Sequence, residues 1–409
     1  EFSRLPLPLA VSGLSTRGLQ RFQERMDDMG IPVIVTHSST APAPTGGSFG
    51  TPVPGGNFAG VIAYGNITVS GIGTTTYVCG GQALAFGHPL TFSGRTTLGA
   101  NDADTLRIVR DSTFGSFKMA TIGELFGTVE QDRLAAIRAT LGDAPSLIPV
   151  MSHVEDLATG NTRNGQSDVT TDEFVPLVSF SHTVGNIDTT IDQVGGGSSR
   201  LRWIITGHRA NGDPWTLDRV NRFADPFDIS VGSADELAGQ LLAIEQNKFE
   251  DVTFESVEIR AKIDATLKQY DIEKVKISKN GGPYKEHQRL RVQPGDELSM
   301  RIKLRQFRGD LDTHTLSLTV PSDAAGFGFL SITGGGDTFS ECESDPSACE
   351  GTSFLGLLES LENAPRNNDL IADLVFFSES GETATSTTST SERLDRVIFG
   401  SFKIEASVQ

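Results

Sequence analysis

The stretch 73–89 constrains the fold of this 409-residue chain more than any other. Two short runs of apolar and β-branched residues flank a Gly-Gly pair at 80–81. Such a pair tolerates the positive φ angles of tight hairpin turns, so the pattern predicts a β-hairpin. The second run ends in Gly87-His88-Pro89, where Gly87 permits a sharp exit and Pro89 cannot join a central ladder. The hairpin therefore presents the imidazole of His88 at a strand end, either as a catalytic group or as a cap on nearby backbone.

The rest of the chain predicts many short strands and few short helices. It contains 44 glycines, and its 24 phenylalanines far outnumber 4 tyrosines and 2 tryptophans, a mixture that suits strands and turns. Helical spacing and capping residues predict helices at 14–29, 132–141, 233–247 and 353–361. Most of the remainder is predicted as strands, including 174–181, and the Ser- and Thr-rich stretch 378–392 is predicted to be a mobile loop. The fold class is therefore mainly β.

Changes in this pattern divide the chain into three regions. Residues 1–250 are predicted to form one β domain with helices at its ends. Residues 251–334 alternate strictly between apolar and polar residues and carry regularly spaced turns, which is typical of an immunoglobulin-like β-sandwich. Residues 335–409 contain an acidic cysteine loop, a short helix and strands that we expect to pack on the sandwich.

The charge of the chain argues against a nucleic-acid partner. Its formal net charge is -18 and its isoelectric point is near 4.8. Nucleic-acid-binding proteins neutralise phosphates with a basic surface, and no basic stripe is visible in this sequence. No apolar run reaches the roughly 18–20 residues that a membrane-spanning helix needs, so we expect no membrane span. We expect partners to be proteins or peptides, including other extracytoplasmic proteins with which the chain assembles.

The three cysteines bear on the compartment of the protein. Cys342 and Cys349 bracket a six-residue acidic loop, which can close as a small disulfide loop. This predicted disulfide and the acidity of the chain favour export, so we expect a secreted or cell-surface protein. Cys79 has no obvious mate and is predicted to be a small, half-buried residue.

No cofactor or metal site is expected. His153 and His182 lie in polar contexts at predicted strand edges, His208 precedes a turn, and the sequence lacks a helical His-x-x-x-His pair. The acidic residues of 337–350 either bind Ca²⁺ or form a solvated loop, and they lack the regular spacing of a calcium-binding loop. The glycines at 195–197 are not followed by Lys-Ser or Lys-Thr, so they do not form a phosphate-binding loop.

The hairpin and two later segments carry a family resemblance. Gly-Thr at 73–74, followed by Ala-Leu-Ala-Phe-Gly-His-Pro at 83–89, resembles the SpoIVB-type serine peptidases, the family of the sporulation stage IV protein B peptidase. The segments 122–133 and 148–150 are similar to two further segments of that family. The resemblance covers about residues 56–155.

This resemblance implies a bacterial, chymotrypsin-like double β-barrel peptidase with a His, Asp and Ser triad. His88 falls at the position of the catalytic histidine. In a triad the histidine takes the proton of a serine hydroxyl, and a carboxylate holds its other nitrogen. The Gly-Met-Ser-Gly-Ser-Pro-like loop that carries the nucleophile in active members has no match in this sequence.

Candidates for the other two members of the triad remain open. Ser116 shares one face of a predicted strand with Lys118, as the residues of a Ser/Lys dyad do, and as polar residues on an exposed strand also do. Asp132 is the candidate acid, with Asp102 and Asp104 as alternatives. Asp132 beside Arg133 is otherwise a surface ion pair near a helix start.

Two functions are consistent with these observations. One is an extracytoplasmic serine peptidase that uses His88 as general base with an unidentified serine. The other is a catalytically inactive peptidase relative that serves as a secreted structural, adhesive or assembly subunit. The missing nucleophile loop favours the second function, and the resemblance around His88 favours the first.

Overall fold

The computed structural model describes residues 6–44, 48–110, 115–338, 352–377 and 384–409. These residues form a mainly β protein with several sheets. Its described helices are α1 (Thr16–Asp28), α2 (Val175–Ile191), α3 (Ile229–Glu245) and α4 (Phe354–Asn363). The strands are β1 (Leu7–Ser12), β2 (Val33–His37), β3 (Asn57–Gly65), β4 (Thr68–Cys79), β5 (Gln82–Ala85), β6 (Gly94–Val109), β7 (Phe117–Arg133), β8 (Ala136–Leu141), β9 (Ile148–Asp156), β10 (Thr162–Val169), β11 (Gly197–Arg209), β12 (Pro214–Asp225), β13 (Val252–Asp264), β14 (Gln269–Lys279), β15 (Leu290–Val292), β16 (Glu297–Gln306), β17 (Leu311–Thr319), β18 (Phe327–Gly334), β19 (Asp369–Phe377), β20 (Ala384–Arg393), β21 (Val397–Phe399) and β22 (Ser401–Val408).

Strands β1–β13 form one large sheet that is partly closed on itself. The strand order is β12-β11-β13-β9-β10-β3-β6-β7-β8-β5-β4-β1-β2. A further pairing between β3 and β4 joins β3, β6, β7, β8, β5 and β4 into an antiparallel ring. The predicted hairpin is the β4–β5 pair of this ring, and Gly80 and Gly81 both have positive φ angles, of 57° and 76°. Two consecutive positive φ angles are the geometry that a tight hairpin turn requires.

Glycines on β4 make room for large side chains in the ring. A Cβ atom at Gly73 would lie 1.7 Å from Cδ1 of Phe86, and one at Gly71 would lie 2.3 Å from Cδ1 of Leu90. Phe86 also meets Phe58 edge to face, with ring centroids 6.2 Å apart. The small residues of β4 thus allow Phe86 and Leu90, which flank the His88 turn, to pack against the ring.

Helices α2 and α3 pack together and against the part of the sheet that continues beyond the ring. Trp203 on β11 is fully buried there and donates its indole N–H to Oε1 of Gln240 on α3 at 3.0 Å. The apolar face of α4 joins the same core. The described helices include none that is both long and apolar enough to cross a bilayer.

Strands β14–β22 form two smaller sheets around a second core. One sheet has the order β17-β16-β14-β21 and the other has the order β15-β22-β18-β19-β20. Both contribute buried side chains to one apolar cluster that is separate from the core of the large sheet. The pairs β14–β21 and β15–β22 are parallel, and the other pairs of these two sheets are antiparallel.

The strand pairings cut across the boundary drawn between residues 250 and 251. Strand β13 pairs with β11 and β9, so residues 252–264 belong to the large sheet, and the two smaller sheets begin at β14. An alternating pattern shows which residues of a strand are buried, and it carries no information about which strands are its neighbours. The strands of 369–377 and 397–408 belong to the same two smaller sheets as β14–β18.

Four predicted elements differ from the structure. Residues 132–141 complete β7 and form β8, because closing the ring outweighs their local preference for a helix. Residues 174–181 lie mostly in α2, which is buried on nearly all sides, and a short continuous apolar run does not distinguish a buried helix from a strand. Helix α3 begins at Ile229 instead of at the predicted capping box. Residues 384–392 lie in β20, an edge strand of alternating Ser and Thr, and 378–383 are outside the described residues.

Candidate functional site

His88 follows β5 on a turn with unusual backbone geometry. Phe86 has a φ angle of 73°, and the N–H of Gly87 donates to the carbonyl of Ala85 at 3.0 Å. A hydrogen bond that spans three residues around a positive φ angle defines the rare, strained form of the γ-turn. On the other side of His88, Phe92 also has a positive φ angle, of 68°. Such strain costs about 1–3 kcal/mol per residue and clusters at functional sites.

The tautomer of His88 follows from its hydrogen bond. Nδ1 lies 2.8 Å from the carbonyl oxygen of Pro89. Because a carbonyl oxygen only accepts, Nδ1 carries the hydrogen, and in the neutral ring Nε2 holds the lone pair. The ring is half-buried and packs 5.5 Å, centroid to centroid, from Phe86. No serine hydroxyl within the described part of the chain hydrogen-bonds to this ring.

Asp132 anchors the loop that carries His88. It is fully buried at the end of β7 and accepts hydrogen bonds from the N–H groups of Leu90, Thr91 and Phe92 at 2.8, 2.6 and 2.7 Å. The hydroxyl of Thr91 donates to the same carboxylate at 3.1 Å. Asp132 is therefore an internal acceptor for three successive backbone donors and not part of a surface ion pair with Arg133.

A chain of hydroxyl groups connects Asp132 to a second carboxylate. The Oγ1 atom of Thr91 lies 2.6 Å from Oγ of Ser93, and Ser93 is close enough to Glu173 to counteract the rise in the pKa of its carboxyl group. Burial raises the pKa of Glu173, and the charge of Asp132 raises it further, against the hydrogen bond from Ser93. The pKa values of Asp172 and Glu245 are also raised, mainly by burial.

These additional residues carry no sequence signal of their own. Thr91 and Ser93 stand in an ordinary loop sequence, and Glu173 is about eighty positions away from Ser93 in the chain. Glu173 lies just before α2, and it comes near Ser93 only because the start of α2 lies near the loop that follows His88.

Ser116 and Asp132 lie at opposite ends of β7. Ser116 is exposed and immediately precedes β7, whereas Asp132 is near the other end of β7. The ammonium group of Lys118 donates to Oδ1 of Asn57 at 2.9 Å, to Oγ1 of Thr74 at 2.8 Å and to the Gly73 carbonyl at 3.1 Å. Three acceptors occupy the donors of Lys118, although burial lowers its pKa. The structure thus places His88 and Asp132 on one loop network and leaves Ser116 apart from it.

His182 belongs to a closed polar cluster elsewhere in the fold. It lies in α2, fully buried, with Nδ1 2.9 Å from Oγ of Ser167 and Nε2 2.9 Å from Oγ of Ser152. Burial lowers the pKa of His182 to about 3, and the charge of Arg163 contributes to this. The prediction that His182 lies at a strand edge is therefore wrong. The two hydrogen bonds join α2 to β9 and β10. Because the ring is sealed from solvent, a substrate cannot reach it.

Cys79 carries a free thiol at the hairpin turn. Cys79 is exposed, so the prediction that it is half-buried is wrong. Cys342, Cys349 and nearly all of the acidic stretch 337–350 lie outside the described residues. Across the ranges that the structure describes, no three His, Cys, Asp or Glu side chains are grouped so that they could hold a metal ion.

Comparison with known proteins does not identify a family for this chain. No protein-family model, curated protein or solved structure matches the chain. The resemblance to SpoIVB-type peptidases therefore remains a prediction that depends on the residues around His88.

Proposed function

We propose that this chain is a serine peptidase-like protein in which His88 is the general base. The observation that carries the proposal is the strained turn that holds His88 with Nδ1 as donor and Nε2 as the basic nitrogen. Backbone strain persists only where surrounding structure enforces it; here Asp132 holds the backbone after His88, and Phe58 packs against the strained Phe86 before it. A general base needs this combination of a fixed ring and an available lone pair.

In the proposed reaction, Nε2 of His88 removes the proton of a serine hydroxyl as the oxygen attacks a peptide carbonyl. The imidazolium then returns the proton to the leaving amine, as in other serine peptidases. The Pro89 carbonyl accepts from Nδ1–H throughout and stabilises the transient positive charge. Asp132 is a positioning residue that holds the loop through its backbone bonds. The nucleophilic serine is left unassigned.

A second candidate function rests on a different observation. His88 bonds to a backbone carbonyl where a triad histidine has a carboxylate, and no described serine bonds to its ring. These features favour a catalytically inactive relative that acts as a structural, adhesive or assembly subunit. In that case the strained turn is a feature inherited with the fold and the partners are proteins.

We also propose a chymotrypsin-like barrel, an immunoglobulin-like sandwich and an extracytoplasmic location for this chain. The ring of β3–β8 supports a chymotrypsin-like barrel, although the strands after β8 continue as an open sheet and do not form a second ring of the described strands. The two smaller sheets support an immunoglobulin-like sandwich, with parallel pairs at two of its edges. The strong acidity supports an extracytoplasmic protein that acts on proteins or peptides and not on nucleic acid, and the resemblance around His88 is the ground for proposing a bacterial one.

A serine-reactive fluorophosphonate probe tests the proposal. We expect labelling of the wild-type chain that His88→Ala abolishes. The matched control is His208→Ala, which removes an exposed histidine on β11 and is expected to leave labelling unchanged. Labelling that survives in His88→Ala contradicts the role of His88. A folded wild-type chain that takes no label favours the inactive relative.

A further inference from the structure

A cavity of about 210 Å³ lies where the large sheet meets the sandwich. Its walls come from the ends of β11, β12 and β13 and from the segment before and within β21. Leu157, Phe223 and Val397 give it apolar surface. Because a dry cavity of about 150 Å³ accommodates benzene, this cavity has room for a small apolar group together with a polar one.

Three cations lie side by side along this cavity. In the strand register, Arg200 on β11 stands directly opposite Arg222 on β12 and directly opposite Lys262 on β13. All three line the cavity. Like charges in directly opposite positions destabilise a sheet, so a row of three in a chain of net charge -18 calls for a compensating anion.

Carboxylates of the chain compensate only the lysines of the cavity. Nζ of Lys262 lies 2.9 Å from Glu155 on β9, and Nζ of Lys268 lies 2.6 Å from Asp264. The hydroxyl of Ser198 accepts the backbone N–H of Lys268 at 2.6 Å, which fixes this corner of the cavity. The lysines are thus part of the protein's own ion pairs.

The two arginines are different. Neither Arg200 nor Arg222 has a carboxylate within 4.0 Å among the residues that the structure describes. Asp395 also lines the cavity without pairing to either arginine, so the four cations Arg200, Arg222, Lys262 and Lys268 and the three carboxylates Glu155, Asp264 and Asp395 leave one net positive charge. That balance suits a ligand with a single negative charge, because a phosphate dianion or a polyanion would meet the Asp264 and Asp395 carboxylates.

We propose that this cavity binds a small organic monocarboxylate, with Arg200 and Arg222 holding the carboxylate and the apolar walls enclosing its body. Arginine presents a planar fork of donors that matches a carboxylate with two parallel hydrogen bonds. A peptide that ends in an apolar residue has this chemistry. The inference goes beyond the role proposed for His88 and does not depend on it.

Isothermal titration of the full chain with N-acetyl-phenylalanine, at low ionic strength, tests the proposal. We expect saturable binding that is at least about tenfold weaker for the neutral N-acetyl-phenylalanine amide, because the amide cannot form the charged pair. Inorganic phosphate is expected to bind more weakly than the acid. Equal affinity for acid and amide, stronger binding of phosphate, or no saturable binding of the acid up to about 10 mM overturns the proposal.

Variants locate the binding. Arg200→Gln and Arg222→Gln are each expected to weaken binding of the acid about tenfold or more, and Arg222→Lys to weaken it less. Arg291→Gln, which removes an exposed arginine of β15, is the matched control and should bind as the wild type. Removing one positive charge from the row relieves repulsion, so the melting temperatures of both glutamine variants are expected to be no lower than that of the wild type. Wild-type affinity in both of them contradicts the assignment.

Discussion

Asp132→Asn is the substitution that tests the architecture of the His88 loop most directly. Oδ2 of Asp132 accepts from the N–H groups of Thr91 and Phe92 and from the Thr91 hydroxyl, while Oδ1 accepts from the N–H of Leu90. An asparagine that keeps its oxygen on the Oδ2 side must turn its NH₂ group toward the N–H of Leu90. A buried donor then faces another buried donor, and the carboxylate charge is lost.

The expected cost follows from these four bonds. A hydrogen bond to a charged group contributes about 1.5–3 kcal/mol, so losing the bond to Leu90 alone removes an amount of this order. The three bonds that remain change from charged to neutral acceptors, which roughly halves their strength. We therefore expect the free energy of unfolding to fall by about 3 kcal/mol in urea denaturation. Amide hydrogen exchange at Leu90, Thr91 and Phe92 should accelerate more than exchange elsewhere in the ring.

Asp102→Asn is the matched control for this prediction. Asp102 is partly buried in the same ring, and its side chain accepts one local hydrogen bond, from the N–H of Ala103 at 2.8 Å. We expect a loss of under about 1 kcal/mol from a change of this kind. A loss of unfolding free energy in Asp132→Asn no larger than in Asp102→Asn, with unchanged exchange of the loop amides, contradicts this role of Asp132.

Three further predictions concern burial. The pKa of His182 is lowered from 6.5 to about 3, so as the pH falls below 6.5 the unfolded chain takes up a proton before the folded chain does. Relative to His182→Gln, the wild type should lose about 1.4 kcal/mol of stability per pH unit between about pH 6 and pH 4 in urea titrations. Arg219→Leu leaves the largely buried carboxylate of Glu236 without its cationic partner, with the amide of Asn221 still donating to its Oε2, and should cost about 3–5 kcal/mol in the same assay. Gly73→Ala drives a Cβ atom into the ring of Phe86 and should cost about 1–3 kcal/mol.

Each of these predictions has a control and a contrary result. His208→Gln removes an exposed histidine and should not change the pH dependence, so a parallel loss in both histidine variants contradicts the assignment to His182. Arg202→Ala breaks an ion pair at the surface and should destabilise less than Arg219→Leu, as exposed pairs do. A Cβ atom at Gly195 would meet no other atom within 4 Å and Gly195 has no positive φ angle, so Gly195→Ala should be nearly neutral. Equal unfolding free energies for Gly73→Ala and the wild type would contradict the close packing of Phe86 against Gly73.

Arg219 illustrates how much of the fold depends on such contacts. Its guanidinium pairs with Glu236 on α3 and donates to the carbonyl oxygens of Leu361, Ala364 and Pro365 at 3.2, 2.9 and 3.0 Å. These carbonyls lie at the C-terminal end of α4, where helical acceptors have no partner within the helix. One side chain of β12 therefore ties the C-terminal part of the chain to the large sheet, and nothing around residue 219 in the sequence indicates this.

Elements whose signals are short-range can be predicted from the sequence. The Gly-Gly pair specified the β4–β5 hairpin because few other residues tolerate two positive φ angles. The predicted helix at 14–29 corresponds to α1, and the hydroxyl oxygen of Ser15 caps its start by accepting the N–H of Gly18 at 3.2 Å. Ser353 likewise begins α4, accepting from the N–H of Gly356 at 3.1 Å.

Which of these elements pack together depends on tertiary contacts that the local patterns do not indicate. Alternation along β13 indicates its buried face equally well in either sheet, and the helical preference of 132–141 gives way when β7 and β8 close the ring. Asp132 reaches the His88 loop, and Arg200 comes to stand between Arg222 and Lys262, only through strand pairings between residues far apart in the chain. Short-range patterns determine how a segment folds, whereas the sites of this protein are made by long-range pairing, whose energy depends on partners that no local pattern names.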